Sequence, residues 1–209
     1  MANRAVFLDR DGTINEEMGY VNHLERFVLL PRVGQAIRLI NENGFKAVVI
    51  TNQSGVARGY FPESLIHRIH HRMEDLLKKE GARLDGIYYC PHHPAEGNPP
   101  YRQKCRCRKP ATGLVEAAVK DLDIDCSKSY AIGDRGFDIQ FARKIGAKGI
   151  LVLTGYGKGE WEYLRDQWSV KPDHVARDLY EAVQWILQRE EKKVKGNEQS
   201  LHHCTDIKG

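Results

Sequence analysis

Short apolar runs alternate with helix-like segments along most of this chain of 209 residues. The runs predict five strands, at residues 5–8, 47–50, 86–89, 129–132 and 150–153. Apolar residues at helical spacing predict helices over 33–43, 62–79, 112–122, 137–145 and 179–187. Strands that are continuously apolar are typical of sheets covered by helices on both faces. The sequence therefore predicts an α/β fold with a parallel sheet between two helical layers.

The composition is that of one globular domain, with 29% charged and 41% hydrophobic residues. We expect the domain to span 1–188, followed by a polar, disordered tail over 189–209. No apolar run approaches the roughly 18 residues of a membrane span, and the N-terminus leads into the first strand without room for a signal peptide. These features predict a cytoplasmic protein without a membrane partner. The absence of an obvious apolar surface stripe makes a monomer the default.

Two carboxylates follow the first predicted strand. Asp9 and Asp11 are one residue apart and precede Gly12-Thr13. Because they alternate with their neighbours, both side chains could point from the strand end into one site. Such a pair suits a divalent cation and covalent chemistry at a phosphate, in which one Asp attacks phosphorus and the other donates a proton to the leaving oxygen. An acidic turn is the alternative for this pair taken alone.

Polar segments follow two other predicted strands, and a cationic one precedes a helix. They are Thr51-Asn52-Gln53-Ser54-Gly55, Gly133-Asp134-Arg135 followed by Asp138, and Arg108-Lys109-Pro110. Ligands of open parallel sheets bind at the carboxyl ends of strands, where hydroxyl, amide and backbone N–H groups could hold phosphate oxygens. Each segment alone could be a plain turn, a helix start or a solvated loop. Their order along the chain argues against coincidence.

Three cysteines and a histidine form a metal-ligand pattern. Cys90-Pro91-His92 and Cys105-Arg106-Cys107 are separated by 12 residues, which include three prolines and one glycine. The four side chains Cys90, His92, Cys105 and Cys107 complete a tetrahedral set for Zn²⁺ and leave no position open, so the site is expected to be structural. His93 could replace His92, and unligated cysteines in a surface loop are the alternative.

The ordered pattern of these segments resembles the haloacid dehalogenase-like phosphatases over residues 4–188. The resemblance implies a Rossmann-like fold in which Asp9 is the nucleophile and forms an aspartyl-phosphate. Asp11 would act as general acid and then as the base that activates water. Thr51 and Lys109 would hold the transferring phosphoryl group. Mg²⁺ would be bound by Asp9, the backbone carbonyl of Asp11, and Asp134.

The cysteine loop narrows the resemblance. Together with Phe-Leu-Asp-Arg-Asp-Gly-Thr-Ile-Asn, it is similar to the heptose-1,7-bisphosphate 7-phosphatases, whose family also holds histidinol-phosphate phosphatases. These enzymes lack a large cap domain, and the zinc loop, 90–107, would replace it as one wall of the site. The resemblance also implies a set of substrate contacts: Glu17, Met18, Gly19, Tyr20, Thr51, Asn52, Gln53, Ser54, Arg108, Lys109 and Arg135. Arg135 stands where a lysine is expected.

The resulting hypothesis is a Mg²⁺-dependent phosphatase of a small phosphorylated sugar. It would remove the C7 phosphate of D-glycero-D-manno-heptose 1,7-bisphosphate, in the biosynthesis of ADP- or GDP-heptose precursors. Cations outside the core site, such as Arg102, Lys104 and Arg106, support a second phosphate on the substrate.

Three alternatives remain from the sequence. Histidinol phosphate carries an amine, which would prefer carboxylates such as Glu16 or Glu17. A phosphatase of nucleic-acid ends would need aromatic residues among basic ones to stack bases, and no such strip is visible; the net charge of +4 does not by itself indicate nucleic acid. A non-enzymatic zinc-binding module leaves the Asp9, Asp11, Lys109 and Asp134 set unexplained.

Overall fold

The computed structural model describes the backbone of residues 2–205 and the side chains of residues 2–192. Six strands and six helices follow one another in the chain: β1 (Arg4–Leu8), α1 (Val33–Glu42), β2 (Phe45–Asn52), α2 (Glu63–Lys79), β3 (Gly86–Cys90), α3 (Gly113–Leu122), β4 (Tyr130–Gly133), α4 (Gly136–Lys144), β5 (Lys148–Val152), α5 (Gly157–Gly159), β6 (His174–Ala176) and α6 (Leu179–Thr205). The single turn α5 runs on into a π-helical turn, Glu160–Leu164, and a 3-10 turn, Arg165–Gln167.

All six strands are parallel and lie in the order β3-β2-β1-β4-β5-β6. The chain winds outward from β1 on one side through β2 and β3, and then resumes at β4 on the other side of β1. Phe7 of β1 is paired with Val48 of β2 and with Ala131 of β4. The winding direction therefore reverses at the carboxyl ends of β1 and β4, where ligands of such sheets bind.

The strand period of two residues divides β1 between two cores. Val6 and Leu8 pack in one apolar cluster with residues of α1, α2 and α6. Ala5 and Phe7 belong to a second cluster with residues of α3 and α4. Because helices cover both faces, the central residues of these strands are largely apolar, and most polar residues lie at the strand ends. The predicted three-layer parallel α/β fold is confirmed.

The structure adds elements that the sequence pattern did not predict. Strand β6 has three residues, His-Val-Ala, and pairs with β5 at the sheet edge. It is too short to show an apolar run. Thr112, the first residue of the helix predicted over 112–122, occupies the N-cap position of α3, but its hydroxyl donates to the Glu116 carboxylate at 2.7 Å instead of capping the helix.

The connections at the carboxyl edge of the sheet contain no large cap domain. In the described structure, residues 9–32 hold only a 3-10 turn, Leu24–Arg26, and isolated bridges, and residues 91–112 hold one isolated bridge. The cavity at this edge is therefore bounded by loops.

The last helix, α6, extends beyond its predicted end at Leu187. Side chains after Lys192 and residues 206–209 lie outside the described residues. The disordered tail over 189–209 stays a prediction. Among the helices of the described chain, none is both long and apolar enough to cross a membrane.

Candidate active site

A buried lysine joins two aspartates at the centre of the carboxyl edge. Lys109 Nζ donates to Asp9 Oδ1 and to Asp138 Oδ1, each at 2.7 Å. The backbone N–H of Asp9 donates to the carbonyl of Ile132 at 2.9 Å, which ties the end of β1 to β4. Burial lowers the pKa of Lys109, but the charges of Asp138 and Asp9 outweigh it and raise that pKa above its usual value. Lys109 is thus a fixed positive charge.

Three carboxylates converge beside this lysine. One oxygen from each of Asp9, Asp134 and Asp138 lies within 4.8 Å of the others. Burial and the charges of Asp9 and Asp138 raise the pKa of Asp134 to about 8. Burial raises the pKa of Asp138 to about 7, although Lys109 opposes this shift. Such crowding of buried carboxylates is what a divalent cation relieves.

Asp138 is a functional candidate to which sequence analysis gave no role. It lies in the first turn of α4, where its second oxygen accepts from the backbone N–H of Arg135 at 3.2 Å. The sequence signal that could have identified it is its position four residues after Asp134, which brings its side chain back to the strand end once a helix starts at Gly136.

The site also requires glycine at position 12. Its φ is +79°, and a Cβ there would collide with the Asp134 carboxylate.

Asp11 is held by a different set of groups. Its carboxylate accepts from Arg10 Nη2 at 2.8 Å, from Asn15 Nδ2 at 2.9 Å and from Gln53 Nε2 at 2.7 Å. Burial raises the pKa of Asp11, but the charge of Arg10 and these hydrogen bonds hold it below the usual range. The Arg10 side chain is itself fully buried. Asp11 is therefore held in a fixed orientation by groups that favour its carboxylate form.

A cavity of about 240 Å³ lies over these groups. Most of the predicted site residues line it: Asp9, Asp11, Glu17, Gly19, Tyr20, Thr51, Asn52, Ser54, Arg108, Lys109, Asp134 and Arg135. Two predicted contacts, Met18 and Gln53, do not. Gln53 is buried and donates to Thr51 Oγ1 at 2.9 Å as well as to Asp11, so it supports two residues of the wall. Phe137 and Tyr156 line the cavity without having been predicted.

The side chain of Asn52, the last residue of β2, holds the backbone of Lys109 in place. Asn52 Nδ2 donates to the Lys109 carbonyl at 3.1 Å, and Asn52 Oδ1 accepts from the Lys109 backbone N–H at 3.0 Å. The neighbouring Arg108 donates from Nη1 to the His92 carbonyl at 3.2 Å. These contacts fix both cations at the point where the cysteine loop returns to the sheet.

The four predicted zinc ligands lie together, with their ligand atoms within 4.8 Å of one another. The Cys90 and Cys105 sulfurs are 3.6 Å apart, and His92 Nδ1 is 3.3 Å from the Cys107 sulfur. His93, the alternative ligand, instead approaches Arg58 at 3.2 Å through Nε2. The structure thus favours His92 over His93 in this cluster.

Comparisons with known proteins agree with this geometry. Residues 106–182 match the family described as HAD-hydrolase-like. A D-glycero-D-manno-heptose-1,7-bisphosphate 7-phosphatase of Thermosynechococcus vestitus is 44% identical over 194 residues, which cover 89% of this chain and 96% of that protein. The D-glycero-beta-D-manno-heptose-1,7-bisphosphate 7-phosphatase of Haemophilus ducreyi is 42% identical, covering 89% of this chain and all of the relative (100%).

A crystal structure shows the same fold. It is the D,D-heptose 1,7-bisphosphate phosphatase from B. bronchiseptica complexed with magnesium and phosphate, with a TM-score of 0.78, 32% identity, and coverage of 89% of this chain and 99% of that one. Fold and site together define a haloacid dehalogenase-like hydrolase. Within that class, the chain belongs to the D-glycero-D-manno-heptose-1,7-bisphosphate 7-phosphatase family, a family of phosphoric monoester hydrolases. The resemblance found in the sequence is confirmed.

The buried His70 predicts a pH-dependent stability. It lies on α2 with Nε2 3.5 Å from Arg10 Nη1. Burial, together with the charge of Arg10, lowers its pKa to about 3. Histidine in the unfolded chain binds a proton near pH 6.5, whereas His70 in the folded protein stays neutral until a much lower pH. The free energy of unfolding therefore decreases as the pH falls below about 6.5. Between pH 7.5 and 5, wild type should lose about 2 kcal/mol relative to His70→Gln.

Urea unfolding of both proteins at the two pH values, at constant metal concentration, measures this difference. A gap between the two proteins that does not change with pH would contradict it.

Proposed function

We propose that this protein is a Mg²⁺-dependent phosphatase that removes the C7 phosphate of D-glycero-D-manno-heptose 1,7-bisphosphate. The observation that carries the proposal is the buried Asp9–Lys109–Asp138 arrangement at the floor of a cavity whose wall includes Arg108 and Arg135. A carboxylate nucleophile, a fixed cation and further cations in the wall suit a substrate with two phosphates. The two relatives described above are named as phosphatases of such a bisphosphate.

Asp9 is the nucleophile in this proposal. Lys109 binds only one of its carboxylate oxygens, and no hydrogen bond within the described residues reaches the other. That oxygen attacks phosphorus and forms an aspartyl-phosphate, while the bond from phosphorus to the sugar oxygen breaks. Lys109 and Thr51 hold the phosphoryl oxygens, where charge is spread in the transition state.

Asp11 moves the protons. It donates to the leaving sugar oxygen, and the resulting carboxylate then takes a proton from the water that hydrolyses the aspartyl-phosphate. Arg10 favours the carboxylate form that the second step requires. A bound phosphate brings negative charge next to Asp11, which favours the protonated form required by the first step.

The residues present fit a divalent cation. Asp9 and Asp134, with the backbone carbonyl of Asp11, would hold Mg²⁺, and Asp138 belongs to the same cluster. Its oxygen ligands are those that Mg²⁺ prefers. When bound, the cation screens the repulsion between the nucleophile and the phosphate.

The cysteine cluster fits a structural Zn²⁺. The three sulfurs are 3.6, 3.3 and 3.1 Å apart, and small outward shifts would bring them to the roughly 3.8 Å separation of thiolates bound to zinc at about 2.3 Å in a tetrahedron. Three thiolates and one imidazole fill the tetrahedron. The metal would hold the loop that delivers Arg108 and Lys109 to the cavity.

Histidinol phosphate is the alternative substrate. Glu17 lines the cavity and would suit its amine. The named relatives and the matched crystal structure favour the heptose substrate instead. The monomeric state, the cytoplasmic location and the absence of a nucleic-acid partner stay predictions.

Phosphate release from the two substrates, measured side by side with Mg²⁺, tests the proposal. We expect kcat/KM to be at least about a hundredfold higher for the heptose bisphosphate, because a second phosphate gains charged contacts that the histidinol lacks. The reverse preference would assign the protein to histidinol phosphate.

Asp9→Asn should abolish turnover without unfolding the protein. The amide keeps the shape of the side chain but is a poor nucleophile, so we expect a loss of at least about a thousandfold in kcat. Phosphate release gives the rate, and circular dichroism with thermal unfolding checks the fold. Full residual activity in a folded variant would exclude Asp9 as the nucleophile.

Cys105→Ala should release the zinc and lower the melting temperature, since a structural zinc site contributes directly to folding. Atomic absorption of purified protein measures the metal content. Cys126→Ala is the matched control, because Cys126 is a free thiol outside the cluster. An unchanged zinc content in Cys105→Ala would refute the ligand assignment.

A further inference from the structure

The cavity residue Arg135 is held on three sides. Its guanidinium carbon lies 4.5 Å from the centroid of the Tyr156 ring and 5.4 Å from that of Phe137. On the third side, Nε donates to Glu160 Oε1 at 3.1 Å. Aromatic faces attract a guanidinium, and a carboxylate fixes its direction. An arginine side chain that would otherwise be mobile therefore has a defined place in the wall.

Glu160 is itself fixed. Its second carboxylate oxygen accepts from the backbone N–H of Gly136, the first residue of α4, at 2.8 Å. The side chain is 12% exposed and does not line the cavity. Each oxygen thus has one donor, and one of these donors belongs to the backbone. The hydrogen bond to the first residue of α4 fixes the position of the Glu160 carboxylate, and this carboxylate in turn orients the arginine.

The choice of nitrogen decides what Arg135 can still bind. Glu160 uses Nε, and neither terminal nitrogen makes a hydrogen bond to any residue that the structure describes. The two terminal nitrogens form a planar pair that matches two oxygens of one phosphate. A lysine at the same position carries one rotating ammonium group, which lacks this planar pair.

We infer that Glu160 is a positioning residue that aims the terminal nitrogens of Arg135 at the substrate phosphate that is not transferred. The inference rests on the proposed function for its substrate. It accounts for an arginine where the resemblance in sequence led us to expect lysine. A carboxylate bound at Nε leaves the two terminal nitrogens of an arginine free for an anion and fixes their direction, whereas a lysine has no such pair to orient.

Steady-state kinetics on heptose bisphosphate and on p-nitrophenyl phosphate, which has one phosphate, test this role. Glu160→Ala should raise KM for the bisphosphate about tenfold, with kcat and the p-nitrophenyl phosphate constants within about twofold of wild type. Glu162→Ala is the matched control, since Glu162 lies in the same helical turn and is exposed. It should change neither substrate's constants.

Introducing Glu160→Ala into two Arg135 variants distinguishes a positioning role of Glu160 from a general structural effect. In Arg135→Ala, adding Glu160→Ala should cause no further rise in KM. In Arg135→Lys, which has no Nε and no planar pair to orient, adding Glu160→Ala should change KM for the bisphosphate by less than about twofold. An equal loss on both substrates, or the same loss with and without Arg135, would overturn the inference.

An NMR measurement judges Glu160 independently of the substrate. The Nε–H signal of Arg135, assigned by its disappearance in Arg135→Lys, should exchange slowly with water in wild type and in Glu162→Ala. It should exchange at least about tenfold faster in Glu160→Ala, because its acceptor is gone. Unchanged exchange would overturn the positioning role. If the wild-type enzyme does not prefer the bisphosphate, the proposed substrate is refuted. The exchange measurement would still decide, independently of any substrate, whether Glu160 holds Arg135.

Discussion

The buried contact of Lys109 with Asp9 and Asp138 is the interaction on which the site depends. A lysine ammonium is costly to bury unless carboxylates are placed around it, and here they come from the residue that follows β1 and from α4. Asn52 of β2 holds the Lys109 backbone at both its N–H and its carbonyl. Lys109 thus links three elements that are distant in sequence. In the proposed reaction, its ammonium group offsets the negative charge that would keep a phosphate away from Asp9.

Asp11, two residues from Asp9, has a different environment. Asp9 shares its surroundings with other carboxylates, whereas Asp11 faces the buried guanidinium of Arg10 and two amides. The Arg10 guanidinium also approaches His70, and burial together with the charge of Arg10 lowers the pKa of that histidine. Two carboxylates of one strand end are thereby separated electrostatically. This separation suits the two roles proposed for them, attack on phosphorus by Asp9 and proton transfer by Asp11.

The cysteine loop, 90–107, leads into Arg108 and Lys109 of the cavity, and contacts outside its cysteine cluster also hold it. The Tyr101 hydroxyl donates to Glu63 at the start of α2 at 2.7 Å, and His93 approaches Arg58. A loop of this length inside a compact domain needs such anchors. Elsewhere in the wall, Glu160 binds Arg135 and the His92 carbonyl binds Arg108, so each of these two cations has a hydrogen-bond partner outside the cavity.

The sequence by itself determined the α/β fold, because apolar periodicity is a property of neighbouring residues, and its local spacing predicted which strand ends and which cysteines form the candidate sites. The structure alone placed Asp138 against Lys109, took Gln53 out of the wall to support Asp11, selected His92 over His93 and paired Glu160 with Arg135. Strand β6 also came only from the structure, since its three residues carry no period. These features join residues far apart in the chain, and their partners are fixed only when the sheet and helices pack.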